Sequence, residues 1–488
     1  MILTPVLVHG LGNMYYGMWA IVGSLIDYSG LLDMGMRATV FRYVAYFRGA
    51  NQRVALNQTF TTGLVISLFT MGVCMLIFVG LAFVLPPFFK FTGPNQKTFA
   101  WVVALMGAAL AAALPGQFLS AYLRGLERFD FYNLGIIVHG ILRGALLFVL
   151  LKLGYGIIAI VAGVLIMAYF FLVLHWFLVK WADPDLRVSL EDFDWKRTRE
   201  MLNFGFYSFV FNSGETLRYS TDSFVIGRML TVALVTPFSV ATRLTEYFKT
   251  VIGGVSGPLM VRLSELSGRN QDEELQEEFL RSTRFSMLLS LFIGGLLIFN
   301  GKALIQLWVG PGYLISYPIL FVLTVAYIVT WGQVACPLLI FARARQHKAL
   351  SWWALAEGIA NLVLSVLWVQ KYGLLGVAMG TAVPLVFSKL FVQPWYVLRD
   401  LGMSWWRYIE GGMARATLVS AIFFAGSWFI TQDIPAPVNF VSLAVACVWQ
   451  SVFFAVLAYL LGLAPTDRVT VKITGRRFAT SLGIVRSL

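Results

Sequence analysis

The chain has 488 residues, of which 59% are hydrophobic and only 12% are charged, and its formal net charge is +13. This composition excludes an ordinary soluble domain, in which about a quarter of the residues are charged. Apolar runs of about twenty residues recur along the chain, as helices that cross a ~30 Å hydrocarbon core require. We therefore expect an all-α polytopic membrane protein.

The apolar runs predict about 14 membrane spans, and the first span is incomplete because residues 1–11 are too few to cross at about 1.5 Å per residue. In chain order the predicted spans cover residues 1–11, 16–46, 59–85, 98–121, 131–151, 156–179, 200–227, 234–260, 285–300, 317–341, 349–369, 373–397, 411–431 and 438–462.

The basic residues are divided unevenly among the connections between these spans. Connections after even-numbered spans, together with the tail, hold 23 Lys and Arg, whereas connections after odd-numbered spans hold six. The positive-inside rule therefore predicts that the even connections and the C-terminus face the cytoplasm. Because membrane topology accounts for the positive charge, we expect no nucleic acid partner.

A weak internal repeat divides the chain into halves. "GSLIDY" at 23–28 resembles "TRLTEY" at 242–247 at an offset of 219, and "YGIIAIVAG" at 155–163 resembles "YGLLGVAMG" at 372–380 at an offset of 217. This predicts two pseudo-symmetric six-helix bundles related by an axis along the membrane normal. The predicted domains are an N-terminal bundle at 1–180, a cytoplasmic linker at 181–199, a second bundle at 200–397, helices 13 and 14 at 398–462, and a basic cytoplasmic tail at 463–488.

Ionisable residues inside the apolar spans are concentrated on spans 2, 7 and 8. In span 7, the stretch "GETLRYSTDSFVIG" at 214–227 places Glu215, Arg218 and Asp222 within a roughly 60° arc of one helix face. A charge inside a membrane costs a few kcal/mol unless it faces a bundle interior or a water-filled cavity. An internal salt bridge is an equally good interpretation of any single acid–base pair. For the whole cluster we favour a hydrated central cavity.

The donors of Arg match the oxygens of a diphosphate, so the cations of these spans are candidates to bind an anionic headgroup. They are Arg37, Arg42, Arg218, Arg243 and Lys249. The acids of the same spans either couple transport to H⁺ or Na⁺ or balance a neighbouring base. They are Asp27, Asp33, Glu215, Asp222 and Glu246.

Arg143 and His139 share a face of span 5, and we interpret them as a satisfied buried pair. The four histidines lack metal-ligand spacing, and no phosphate-binding glycine loop, HExxH or nucleophile elbow is present. We expect no catalytic residues, no metal and no cofactor.

Several stretches resemble a known family, namely "LGNMYYGMWAIVGSLIDYSGLLDMGM" at 11–36, "STDSFVIGRMLTVALVTPFSVATRL" at 220–244, "GPLMVRLSEL" at 257–266 and the two Tyr–Gly turns. The family is the oligosaccharide (O-antigen and polysaccharide) flippases of the multidrug/oligosaccharidyl-lipid/polysaccharide exporter superfamily. The resemblance implies two six-helix bundles plus two helices, with helices 1, 2, 7 and 8 lining a central cavity. Family members have a complete first helix, whereas residues 1–11 of this chain form only an incomplete one.

The resemblance further implies a flippase of the bacterial inner membrane. Its cargo would be a polyprenyl-diphosphate-linked oligosaccharide, moved from the cytoplasmic to the outer leaflet by alternating access. Its partners would be that lipid-linked oligosaccharide, membrane lipids, and the polysaccharide polymerase and glycosyltransferases that act beside it.

Three other functions are alternatives. A cation-coupled multidrug extruder should have a net acidic cavity, whereas the candidate acids and bases of spans 2, 7 and 8 are equal in number. A non-transport scaffold of a polysaccharide-synthesis complex would tolerate neutral replacements in the cavity. A membrane glycosyltransferase is disfavoured because no connection is long enough for a soluble catalytic domain.

Overall fold

The structure, a computed structural model of the chain, describes residues 3–32, 36–269, 271–343, 347–433, 437–464 and 467–468. Helices joined by short turns make up these residues, and no strand occurs among them, which confirms the all-α prediction. The α-helices of the described ranges are α1 Leu3–Leu32, α2 Met36–Gly49, α3 Arg53–Phe88, α4 Pro94–Gly125, α5 Phe129–Lys152, α6 Ile157–Ala182, α7 Trp195–Ser220, α8 Asp222–Met229, α9 Val232–Gly268, α10 Asp272–Trp308, α11 Ser316–Gly332, α12 Ala335–Ala342, α13 His347–Phe387, α14 Gln393–Leu401, α15 Trp405–Tyr408, α16 Arg415–Asp433 and α17 Phe440–Leu457.

Eight helical stretches of the described chain are long and apolar enough to cross a membrane, and the bent pair α11–α12 makes a ninth. The multi-pass membrane prediction is thereby confirmed, while the number of about 14 stays a prediction. Helices α1, α2, α7 and α9 are not in this group. They contain predicted spans 2, 7 and 8, on which the candidate site residues lie, and α2 has only 14 residues.

Two of the long helices are broken at a glycine. Gly12 in α1 has φ 72°, and Gly373 in α13 has φ 58°. Glycine adopts this left-handed region without the steric cost of a Cβ, so the chain can turn at these points. The breaks coincide with the predicted boundaries between spans 1 and 2 and between spans 11 and 12.

By its internal contacts the chain forms two compact units. The first unit contains Met1–Ser239 and Lys348–Gly380, and the second contains Val240–His347 and Thr381–Leu488. Helix α7 and the part of α13 from Lys348 to Gly380 therefore belong to one unit. The domain boundaries derived from the repeat stay a prediction.

Helix α4 is the most enclosed of the membrane-length helices in the first unit, with 67% of its apolar window buried, against 11% for α5. Its central sequence "GAALAAALPG" at 107–116 has little side-chain bulk. A Cβ on Gly116 would lie 2.6 Å from the ring of Phe171, so only glycine permits this approach of α6. Small residues therefore let the neighbouring helices pack closely around α4, as is usual between helices in lipid.

An ionic contact ties three helix ends together at the predicted cytoplasmic side of the first unit. Arg53, the first residue of α3, donates to both carboxylate oxygens of Asp183 at 3.0 and 2.6 Å. The hydroxyl of Tyr122 in α4 donates to the same carboxylate at 2.6 Å. Because Asp183 directly follows α6 and is buried, it holds the ends of α3, α4 and α6 together.

The second unit repeats this contact with its charges rearranged. Arg343, which follows α12, lies 2.8 Å from Asp272 at the start of α10 and 3.0 Å from Asp400 in α14. Asp272 follows Arg53 by 219 positions, and Asp400 follows Asp183 by 217. The same helix ends are thus joined in both halves at the two offsets of the sequence repeat.

The last described residues are held by a further ionic contact in the second unit. Asp467, which is buried, pairs with Arg281 at 3.0 Å and with Arg284 at 2.7 Å. Arg284 also donates to the carbonyl of Gly411, in the π-helical segment that precedes α16. Residues after 468, which make up most of the predicted basic tail, lie outside the described residues.

The contact at Asp183 predicts a stability effect. We expect Asp183→Asn to lower the free energy of unfolding by about 1–3 kcal/mol, because it leaves Arg53 without its counter-charge. The measurement is the thermal unfolding midpoint of the purified protein in detergent. Asp185→Asn, at an exposed residue of the same connection, is the matched control and should not change the midpoint. Equal midpoints for the two variants would contradict the stabilising role of Asp183.

Candidate functional site

Three of the ten predicted site residues cannot be placed at the level of side chains. Asp33 lies outside the described residues. Asp27 falls in α1 and Arg37 in α2, but their side chains are also outside the described part. The other seven lie on α2, on α7–α8 and on α9.

Arg218 is a buried ion-pair centre on α7. Its side chain is only 4% exposed and contacts the carboxylates of Glu215, at 2.5 Å, and of Glu357 in α13. Glu357 is itself only 6% exposed. Both partners of this second pair are thus withdrawn from solvent, where the attraction between opposite charges is strongest and a missing partner is most costly.

The polar contact continues along both helices. The side chain of Asn361, one turn after Glu357, donates to the backbone carbonyl of Arg218 at 3.3 Å. One turn further, the hydroxyl of Ser365 donates to the carboxylate of Asp222 at 3.5 Å. Spacings of four residues place the three α13 side chains on one face, opposite the predicted face of α7–α8. We call this contact the α7–α13 polar seam.

Glycines bring the two helices close enough for these contacts. A Cβ on Gly214 would lie 2.2 Å from the backbone carbon of Ala354, and a Cβ on Gly358 would lie 2.7 Å from the Cβ of Leu217. Any larger residue at either glycine would push the helices apart. Small residues that permit such an approach are characteristic of helix packing within membranes.

The polar seam combines three carboxylates with one guanidinium. Glu215 and Glu357 contact Arg218, and Asp222 lies further along the seam, where it accepts a hydrogen bond from Ser365. Arg218 is thus held by internal partners, in agreement with the salt-bridge interpretation. Its role in binding an anion stays a prediction.

Sequence reasoning left Glu357 out of the candidate site. The signal was available, because Glu357 is a single acid in an otherwise apolar span, and such a residue is usually paired. Its partner could not be identified from spacing, since Arg218 precedes it by 139 positions.

The cations of α2 and α9 have different surroundings. Arg243 contacts Glu246 at 2.8 Å, with side chains 46% and 56% exposed. Lys249 on α9 and Arg42 on α2 are exposed as well. The side chains of these three cations are thus exposed, in contrast to that of Arg218. Within the described ranges no group of three or more His, Cys, Asp or Glu is placed to hold a metal ion.

The polar seam predicts that Arg218 is required for folding. We expect Arg218→Gln to destabilise the protein by about 3–5 kcal/mol, because it leaves Glu357 buried without its counter-charge. Replacing both residues, as Arg218→Met with Glu357→Met, should recover most of the loss. Thermal unfolding in detergent measures both effects, and Arg269→Gln, in an exposed pair with Glu265, is the control. A wild-type midpoint for Arg218→Gln would show that the ion pair does not stabilise the fold.

Comparisons with known proteins identify the family of the chain. Residues 10–318 match the model of the polysaccharide biosynthesis protein family. The chain is 23% identical over 397 residues to a Shigella flexneri protein described as "Putative O-antigen transporter", a match that covers 79% of this chain and 91% of that protein.

Two solved structures have a similar fold. One is a multidrug resistance MATE family transporter of the MOP superfamily in its inward-facing conformation, with a TM-score of 0.67, 16% identity, and coverage of 82% of this chain and 94% of that chain. The other is the lipid II flippase MurJ in an inward closed conformation, with a TM-score of 0.64, 15% identity, and coverage of 94% and 99%. These findings confirm the resemblance drawn from the sequence. Since the family model matches well over half of the residues, the chain belongs to the polysaccharide biosynthesis protein family.

Proposed function

We propose that this chain is a flippase for lipid-linked glycans, which moves a polyprenyl-diphosphate-linked oligosaccharide from the cytoplasmic to the outer leaflet of the bacterial inner membrane. The observation that carries the proposal is the similarity to the Shigella flexneri protein, which extends over 91% of that protein's length. Family membership and a fold like that of a lipid II flippase support it further. The proposed activity neither forms nor breaks a covalent bond.

We propose that the transport path lies along predicted spans 2, 7 and 8. A helix that faces only lipid gains nothing from polar side chains, whereas a helix that lines a hydrated path can carry them at little cost. The ionisable side chains within the predicted spans are concentrated on these three. We propose that the exposed cations Arg42, Arg243 and Lys249 meet the diphosphate or acidic sugars, while the lipid tail stays in the bilayer.

The carboxylates of the polar seam are candidates for a coupling role. Acidic residues within membrane spans commonly mark ion pathways, and Asp222 and Glu357 are both buried. We propose Asp222, Glu215 and Glu357 as the residues through which H⁺ or Na⁺ drives the transport cycle. Glycosyltransferases would supply the substrate on the cytoplasmic side, and a polymerase would consume it on the other side.

The proposed function predicts that the exposed cations contribute to export. We expect Arg243→Gln and Arg42→Gln each to reduce surface polysaccharide by about tenfold, because each removes a charge-assisted contact to an anion. The measurement is surface polysaccharide in a deletion strain that carries each variant, normalised to the amount of the protein in the membrane.

Arg269→Gln is the matched control, because Arg269 directly follows α9, is exposed, and falls at the predicted cytoplasmic end of that helix. Normal polysaccharide in both test variants, with normal protein amounts, would contradict the cation role. Drug hypersensitivity of the deletion strain with unchanged polysaccharide would favour a multidrug extruder instead.

A further inference from the structure

A small pocket lies inside the first unit, among α4, α5 and α6. Its volume is about 240 Å³. The space exists because the side chains that α4 and α6 present there include small alanines. The polar residues that line it are Gln117, His139 and Arg143. A pocket that encloses a drug-sized ligand has about 300–1,000 Å³, so this one suits a single charged group rather than a sugar chain.

Arg143 lies deep in the membrane-length helix α5. At about 1.5 Å per residue, Arg143 lies about 21 Å along the helix axis from Phe129, the first residue of α5, and about 14 Å from Lys152, the last. The side chain is half-buried and points into the pocket. Among the residues that the structure describes, Arg143 has neither an ion-pair nor a hydrogen-bond partner, in contrast to Arg218.

The two polar neighbours of Arg143 do not neutralise it. His139, one turn earlier on α5, packs its ring against that of Phe171 at 4.9 Å between centroids. Gln117 on α4 adds an uncharged amide that can donate hydrogen bonds. The lining contains no carboxylate, so the pocket presents a cation and an amide to a small apolar space. The sequence-based interpretation of Arg143 and His139 as a satisfied pair is therefore wrong, because no hydrogen bond within the described chain joins them.

A guanidinium at this depth is costly for the protein unless something meets it. An anion is the species that would do so, because the planar fork of donors on Arg matches two oxygens of a phosphate or carboxylate. We propose that the pocket is an anion-binding subsite in which Arg143 and Gln117 hold one phosphate or carboxylate group. Two sources have this chemistry: the diphosphate or acidic sugar of the cargo, which rests on the proposed function, and the headgroup of an anionic phospholipid, which does not.

Binding of inorganic diphosphate to the purified full-length chain tests the proposal. The protein is placed in nanodiscs of phosphatidylcholine alone, or with phosphatidylglycerol added, and binding of labelled diphosphate is measured by equilibrium dialysis. We expect saturable binding by the wild type in phosphatidylcholine, and binding about tenfold or more weaker in Arg143→Gln. Lys152→Gln, at the end of the same helix, is the matched control and should bind as the wild type does.

The lipid composition separates the two sources. Undiminished binding in the presence of phosphatidylglycerol assigns the subsite to the diphosphate class, whereas competition by that lipid assigns it to a phospholipid headgroup. Equal binding by wild type and Arg143→Gln, or no saturable binding by the wild type, would overturn the subsite. Neither result bears on the flippase proposal, which is tested by the polysaccharide made with the Arg243 and Arg42 variants.

The unfolding midpoint of Arg143→Gln is a second measurement. An anion-binding role and a structural role of Arg143 predict opposite changes in this midpoint. Because Arg143 has no partner in the described part of the chain, we expect Arg143→Gln to keep or raise the midpoint, as removal of an unpaired charge from an apolar surrounding does. A fall as large as that of Arg218→Gln would show that Arg143 holds the fold together, and would likewise overturn the subsite.

Discussion

An ionised side chain within the hydrocarbon layer must meet a counter-charge, a polar group or water, and this constraint organises the molecule. Arg218 satisfies it with carboxylates from two helices, of which that of Glu357 is buried. Arg243 satisfies it with an exposed neighbour on its own helix. Arg143 has no counter-charge or hydrogen-bond partner among the residues that the structure describes, so a ligand or water must satisfy it. These three solutions separate residues that hold helices together from residues that remain available to a ligand.

The ionic contacts at the helix ends give each unit a fixed framework. Asp183 joins three helices in the first unit, and Arg343 joins the corresponding ends in the second. The first residue of α3 is basic and the first residue of α10 is acidic, yet each half provides the complementary charge elsewhere. The contact has therefore been kept while its charges were exchanged, which supports a common origin of the halves. Helix ends joined in this way move together, so each unit is suited to respond as one body.

Most of the fold could be predicted from the sequence, because apolar length fixes which segments are helical in a membrane. The breaks at Gly12 and Gly373 fall where the runs suggested a boundary. The shared face of Glu215, Arg218 and Asp222 follows from helix geometry alone. Spacing cannot reveal what lies opposite such a face, so the role of Glu357 and the solitary position of Arg143 emerged only from the tertiary packing.

The contact of Asp467 with Arg281 and Arg284 has a consequence for biosynthesis. The two arginines leave the ribosome early, whereas their carboxylate lies 183 positions after Arg284. Because proteins are made from the N-terminus, the second unit cannot complete this contact until translation has passed the final apolar segment. A nascent chain released before that point would expose two uncompensated cations at the membrane surface.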